Sequence, residues 1–147
     1  MQPGAVFVAI TTGRWWHNAI VLAERKAALG RAPVYLYQFA YESEVPVEPG
    51  VDYPQKAAHA MEIEFKFNHP ETSAAAGRRP ERFQAARNMS AAWAAFARTG
   101  NPSHPGIPEW PAYDATRRAT MILDAECRVT FDLFREERLL WDSLTGA

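Results

Sequence analysis

This sequence predicts an α/β chain with an incomplete sheet, and three observations carry that reading. Val34-Tyr35-Leu36-Tyr37-Gln38-Phe39 is a strand-forming run between two stretches of helical periodicity. Two further β runs, Thr120 to Leu123 and Arg128 to Phe131, close on one another through Asp124-Ala125-Glu126 as a terminal hairpin. These are too few strands for a complete sheet, so the chain reads as the end of a larger fold.

Each element has its own signal. Gly4 to Ile10 is a short apolar run, either a strand or the tail of a preceding element. Thr11-Thr12 suits a helix cap, and Trp15, Trp16, Ala19, Ile20, Ala23 and Ala27 then recur at helical spacing until Gly30. Pro33 opens the central strand. Glu42 to Tyr53, with Pro46, Pro49, Gly50 and four acids, reads as a surface loop. Ala57 to Phe67 is ambiguous, a turn leading into a short helix. Thr72 to Arg79 is a small-residue linker, and Pro80 suits the first turn of a second helix. In that helix Phe83, Ala86, Met89, Trp93, Phe96 and Ala97 form one apolar stripe, and Gly100 is a fitting C-cap. Asn101 to Tyr113 holds four prolines and must be irregular. Arg135 to Leu144 closes the chain as a short amphipathic helix.

Composition narrows the function classes. With 16 basic and 17 acidic residues, net charge −1 and no basic run, nothing favours nucleic-acid binding or electrostatic docking to a membrane. No apolar stretch approaches the roughly 18 residues that span a bilayer. The start, Met1-Gln2-Pro3-Gly4, lacks the basic region and cleavage site of a signal peptide, which makes the cytoplasm the default compartment. Cys127 is the single cysteine, so neither an internal disulfide nor a thiolate metal site is expected. No two histidines stand at the i, i+4 spacing of a helical zinc site, and no metal or other cofactor is expected. Oligomeric state is not legible.

His59 is the candidate general base. It lies twenty residues after Phe39, in a loop beyond the strand, with Glu62 three residues later. A neutral imidazole there can take a serine proton and return it to a leaving group if an acid fixes its tautomer. The plainer reading is a solvated loop histidine or a core histidine. Glu62 likewise either orients buried groups near the base or is a surface acid early in a helix, favoured by the dipole. His17, His69 and His104 read as structural or exposed. No Gly-x-Ser-x-Gly elbow surrounds any of the five serines, and no glycine-rich oxyanion loop is present. Cys127, in the hairpin, is poorly placed for a nucleophile.

Four strings occur in order: Pro33 to Phe39; Ala58-His59-Ala60-Met61-Glu62-Ile63-Glu64-Phe65; Trp93-Ala94-Ala95-Phe96-Ala97-Arg98-Thr99-Gly100-Asn101-Pro102; and Pro108-Glu109-Trp110-Pro111-Ala112-Tyr113-Asp114. Together they resemble the C-terminal quarter to third of a type B carboxylesterase, the family of bacterial para-nitrobenzyl esterases, liver carboxylesterases and cholinesterases. The resemblance implies that residues 1–147 form the C-terminal part of an α/β-hydrolase fold: last central strand, catalytic-histidine loop, long helix and terminal hairpin. It implies a Ser-Glu/Asp-His triad acting on a small-molecule ester. The family's His-Gly-x-Glu motif falls on His59 to Glu62, giving His59 the general-base role and Glu62 a buried supporting role. Trp93, Phe96, Trp110 and Tyr113 take packing roles.

The chain departs from the family pattern at several points. Ala60 replaces glycine, and a left-handed backbone there would be strained. Lys66 stands where the family favours an apolar side chain, and Trp15-Trp16-His17-Asn18 replaces a pattern with Phe and Pro. The family's elbow, oxyanion loop and triad acid precede this region, so the segment alone is expected to be inactive. The alternative function is a non-catalytic, cholinesterase-like interaction module.

Overall fold

The computed structural model describes residues 3–146, with the side chains of residues 3–9, 12 and 14 outside the description. Its elements are α1 (Pro3–Ala28), β1 (Leu36–Phe39), β2 (Ser43–Pro46), β3 (Pro54–Lys56), α2 (Glu62–Lys66), α3 (Glu81–Thr99), β4 (Ala119–Leu123), β5 (Arg128–Phe131) and α4 (Arg135–Thr145), with two 3₁₀ turns between α2 and α3. Three strands form a sheet in the order β1-β4-β5, and β2 pairs with β3 separately. The chain divides into two compact units, one of Met1–Leu36, Ala112–Thr120 and Thr130–Ala147, the other of Tyr37–Pro111 and Met121–Val129.

β4 is buried at all five positions, as its unalternating Ala-Thr-Met-Ile-Leu sequence requires. It is therefore the middle strand of this sheet and more than an arm of a hairpin. The Ala40 amide donates to the Leu123 carbonyl at 2.9 Å, joining the carboxyl ends of β1 and β4, so these two strands run parallel. A parallel pair needs a long crossover, and residues 40–118, with α3 among them, supply it. β4 and β5 are separated by only four residues, a connection that admits an antiparallel pair alone.

In the first unit, α1 is longer than its expected span. Thr11 and Thr12 lie inside it and do not cap it, and the Gly4–Ile10 run is helical. No proline interrupts the run after Pro3, so each added residue gains a backbone bond at little entropic cost. Trp16, Ile20 and Ala23 form its buried face, against Val34, Leu36 and Tyr113. Trp16 also donates through Nε1 to the Leu133 carbonyl at 3.2 Å and meets Phe134 edge to face. α4 packs on α1 where Gly13 leaves room for the Trp141 indole; a Cβ at residue 13 would lie 1.8–2.0 Å from its ring atoms.

A ladder of charges binds the same unit. Arg118 donates to Glu24 Oε1 through Nε and Nη2 at 3.2 and 2.9 Å. Arg138, 7% exposed, donates to both Asp132 oxygens at 2.8 and 2.9 Å and to Asp142 Oδ2 at 2.9 Å. The other Asp142 oxygen accepts the buried His17 Nε2 at 2.9 Å, so His17 is structural. Burial, and then the charge of Glu24, push the Tyr113 phenol up to about 12.

In the second unit, Glu42 to Tyr53 is no plain loop. It contains β2 and leads to β3, in antiparallel register Ser43↔Lys56 and Pro46↔Pro54. A two-stranded ribbon consists of edges only, where proline is tolerated, and Gly50 at φ +83° turns the chain between the arms. The ribbon is tied toward α3: Tyr41 Oη donates to the Ala76 carbonyl at 3.0 Å, and the Arg78 amide donates to Glu44 Oε1 at 2.7 Å.

α3 begins after Pro80 and ends at Gly100 in the left-handed conformation, φ +76°. Its buried face differs from the expected stripe: Ala85, Ala86, Asn88, Met89 and Ala92 point inward, whereas Phe83 and Phe96 are 38% and 47% exposed. Asn88 explains the rotation. Its Nδ2 donates to the Asp124 and Ala125 carbonyls at 2.9 and 3.0 Å, and its Oδ1 accepts from Gln84 at 2.7 Å. A polar residue whose hydrogen bonds are met in this way is tolerated in the interior. No helix among the described residues is long and apolar enough to cross a membrane.

Two predictions follow from these contacts. Asn88→Ala strands two turn carbonyls and should cost about 2 kcal/mol, read from urea midpoints. The Arg138 hydrogen bonds hold the Asp132 carboxyl below the usual carboxylate range. The folded form is depressed, so this stabilisation is complete above about pH 4 and is lost as pH falls through the folded value. Arg138→Met should destabilise by about 3 kcal/mol at neutral pH and flatten that acid limb in thermal melts.

Candidate functional site

The His59 turn hangs between two fixed points. Behind it, the β2–β3 ribbon delivers the chain through Lys56, which adopts φ +55°. Ahead of it, α2 is anchored by Met61, 3% exposed, and Phe65, fully buried. These stand four residues apart on one helical face. Phe65 meets Phe39 and Tyr41 with ring centroids 5.0 and 5.1 Å away, so β1 and α2 share one aromatic cluster. The turn itself closes through Met61 N–H to Ala58 O at 3.2 Å and Ile63 N–H to Ala60 O at 3.1 Å.

Ala60 has φ +67°, the left-handed conformation that its position beside the histidine raised as a question. An L-residue with a Cβ pays roughly 1–2 kcal/mol there. The strain persists because both flanks are fixed, and the neighbouring His59 is exposed.

Glu62 opens α2 with its side chain 25% exposed, less buried than the family motif implies. Lys66 Nζ donates to its Oε1 at 3.3 Å and sits 5.7 Å from the centroid of the Trp93 ring. Trp93, half-buried on α3, takes the Tyr37 ring edge to face at 5.0 Å. Burial, and then the Glu62 charge, raise the Tyr37 phenol. Lys66 is the residue that single-sequence reasoning left without a task. Its signal was legible in part, since Glu62 and Lys66 stand at i, i+4.

Several other nucleophile and base candidates are engaged in structural hydrogen bonds. The Gly106 amide donates to His104 Nδ1 and the His104 Nε2 meets the Asn88 carbonyl, both at 3.1 Å, which is the arrangement of a neutral Nε2–H tautomer. His69 is exposed beside Glu71. The Cys127 thiol donates to the Asp124 carbonyl at 3.2 Å, and burial pushes it up, away from the thiolate that would react. Ser43 and Ser103 accept backbone amides, and Ser143 donates to the Leu140 carbonyl. Among the described residues no three His, Cys, Asp or Glu side chains gather where they could hold a metal ion.

Comparison with known proteins gives one consistent answer. The sequence pattern of the Carboxylesterase family matches residues 5–141. The para-nitrobenzyl esterase of Bacillus subtilis is 35% identical over 127 residues, which are 84% of this chain and 24% of that protein. The cocaine esterase of Homo sapiens is 36% identical over 86 residues, 57% of this chain and 15% of that one. Among solved structures, a carboxylesterase of Geobacillus stearothermophilus superposes with a TM-score of 0.76 at 37% identity, over 96% of this chain and 29% of its own. The chain thus spans about a quarter or less of the length of the curated relatives it matches.

The left-handed residue gives a direct test of the turn. Ala60→Gly removes the Cβ strain and should raise stability by about 1 kcal/mol in denaturant titrations. Ala60→Val should lose more than that, because a branched side chain fits this conformation worse.

Proposed function

The chain belongs to the carboxylesterase family and carries part of its α/β-hydrolase fold, and from this premise we propose that it is the C-terminal, general-base end of a serine carboxylesterase, with His59 as the base. The observation that supports this most is the built turn: an exposed histidine beside a strained left-handed Ala60, gripped by a ribbon on one side and by α2 on the other. Backbone strain held by well-packed flanks is characteristic of functional positions.

The chemistry requires few groups. A serine hydroxyl, supplied by polypeptide outside these 147 residues, attacks the ester carbonyl while the His59 imidazole takes its proton. The imidazolium returns that proton to the departing alcohol, leaving an acyl-enzyme. Water then attacks the acyl group, and His59 takes a proton from the water and returns it to the serine. An acid, also outside this chain, holds the imidazole in its tautomer, and backbone amides elsewhere receive the oxyanion. Glu62 supports the base from one turn further on. The substrates are carboxylic esters, in keeping with relatives named for para-nitrobenzyl esters and, in Clostridium hathewayi, for aliphatic aromatic polyesters.

The test is an exchange of segments. This chain, replacing the matching segment of the Geobacillus carboxylesterase, should give an enzyme that hydrolyses nitrophenyl esters. His59→Ala should then leave only the residual ~10³–10⁴-fold advantage over water that binding and the oxyanion hole provide. Glu62→Gln should cost about tenfold. A loss below about threefold for His59→Ala would assign the base to another residue. The isolated chain should hydrolyse these esters no faster than free imidazole, and labelling by a fluorophosphonate would contradict that.

A further inference from the structure

α4 is amphipathic with its polar side turned inward. Arg138 pairs with Asp132 at 2.8 Å, Asp142 meets His17 at 2.9 Å, and Trp141 enters the notch at Gly13. On the outer side, Leu140 and Leu144 are 56% and 66% exposed and share a face with exposed Glu136. α1 carries an outer apolar stripe of its own. Trp15, Leu22 and Leu29 recur every seven residues, opposite the buried Trp16, Ile20 and Ala23, and are 68, 69 and 65% exposed. A helix that covers a core ordinarily turns its apolar stripe toward that core. Outward stripes on two helices that pack together mark an interaction surface.

Completing the sheet does not cover these stripes. In an α/β fold further strands and helices extend each layer sideways, and the outer face of a covering helix stays outward. The charges point to what does cover them. The outer side of α1 is basic: Arg25 and Lys26 are exposed, while Glu24 is turned to Arg118 at 2.9 Å. The outer side of α4 is acidic: Glu136 is exposed, while Arg138 is buried and Arg135 reaches Asp132 at 3.4 Å. Lengths agree as well. The 11 residues of α4 span about 16 Å, and α1 from Trp15 to Leu29 spans about 21 Å. A seam that short is small for a stable interface, and a two-fold axis forms it twice. We propose that two copies of this chain associate through these faces, the α4 leucines of each lying on the Trp15, Leu22 and Leu29 stripe of the other, with Glu136 beside Arg25 and Lys26. This contact involves none of the residues of the candidate site and needs no assumption about the base.

The 147-residue chain is followed by sedimentation velocity over a roughly hundredfold range of concentration. It should pass from monomer to dimer and stop there, with a dissociation constant on the order of micromolar. Leu22→Gln and Leu140→Gln alter exposed positions, so far-UV circular dichroism should be unchanged while the dissociation constant rises at least about tenfold. Arg25→Glu and Glu136→Arg should each weaken the dimer about tenfold, because every pair occurs twice. The Arg25→Glu/Glu136→Arg double variant should restore it, and this exchange decides the matter if the leucine variants fail to fold. A chain that stays monomeric overturns the proposal. So does a dimer indifferent to Leu22→Gln and Leu140→Gln, growth past the dimer without limit, or a double variant no tighter than either single one. The exchanged Geobacillus carboxylesterase separates the occupants. It should also form a dimer that Leu22→Gln weakens. A monomer there that Leu22→Gln and Leu140→Gln destabilise would assign the stripes to the rest of the domain and overturn the association of copies.

Discussion

A strand with no solvent face constrains everything around it. β4 is buried at five consecutive positions, so strands must lie along both its edges and other elements must cover both its sides. Because β1 runs parallel to it, the chain between them has to travel the length of the sheet and return, and that journey carries His59, Glu62, Lys66 and Trp93. The ribbon, the His59 turn, α2 and α3 are thus all parts of one crossover. Their arrangement follows from the need to bring residue 119 back beside residue 36.

The first unit meets a different constraint, the placing of charge within its packing. Arg138, 7% exposed, is tolerable only because two aspartates accept from three of its N–H groups, while Asp142 passes its second oxygen to His17. Removing water from such groups is expensive, and pairing returns most of the cost only when geometry is good. What the ladder adds beyond stability is register. Apart from the Arg138–Asp142 contact inside α4, the rungs fix one element against another, which uniform apolar packing does less well.

Much of the fold was legible because its signals are local. Pro80 and Gly100 bracket α3, the hairpin runs bracket β4 and β5, and Gly30 follows α1. What escaped was decided across distance. Asn88 turned the α3 stripe because its partners lie 36 and 37 residues away. The ribbon escaped because Pro46 and Pro54 argue against strands unless both are known to be edges. At the site, His59 and the i, i+4 relation of Glu62 to Lys66 were readable, and so was the question of a left-handed Ala60. The seat that Trp93 provides was not, since it joins two helices that sequence alone does not bring together.

The contact between Gly13 and Trp141 carries a consequence for how such chains diverge. The indole occupies the place where any side chain at position 13 would begin, within 2.0 Å of where its Cβ would stand. Neither position is free to drift by itself: a larger residue at 13 meets the ring, and a smaller one at 141 leaves a void against a bare helix. Lineages that abandon the glycine should therefore be those that have already given up the tryptophan. The order of those two changes is set by sterics, since the void is survivable and the collision is not.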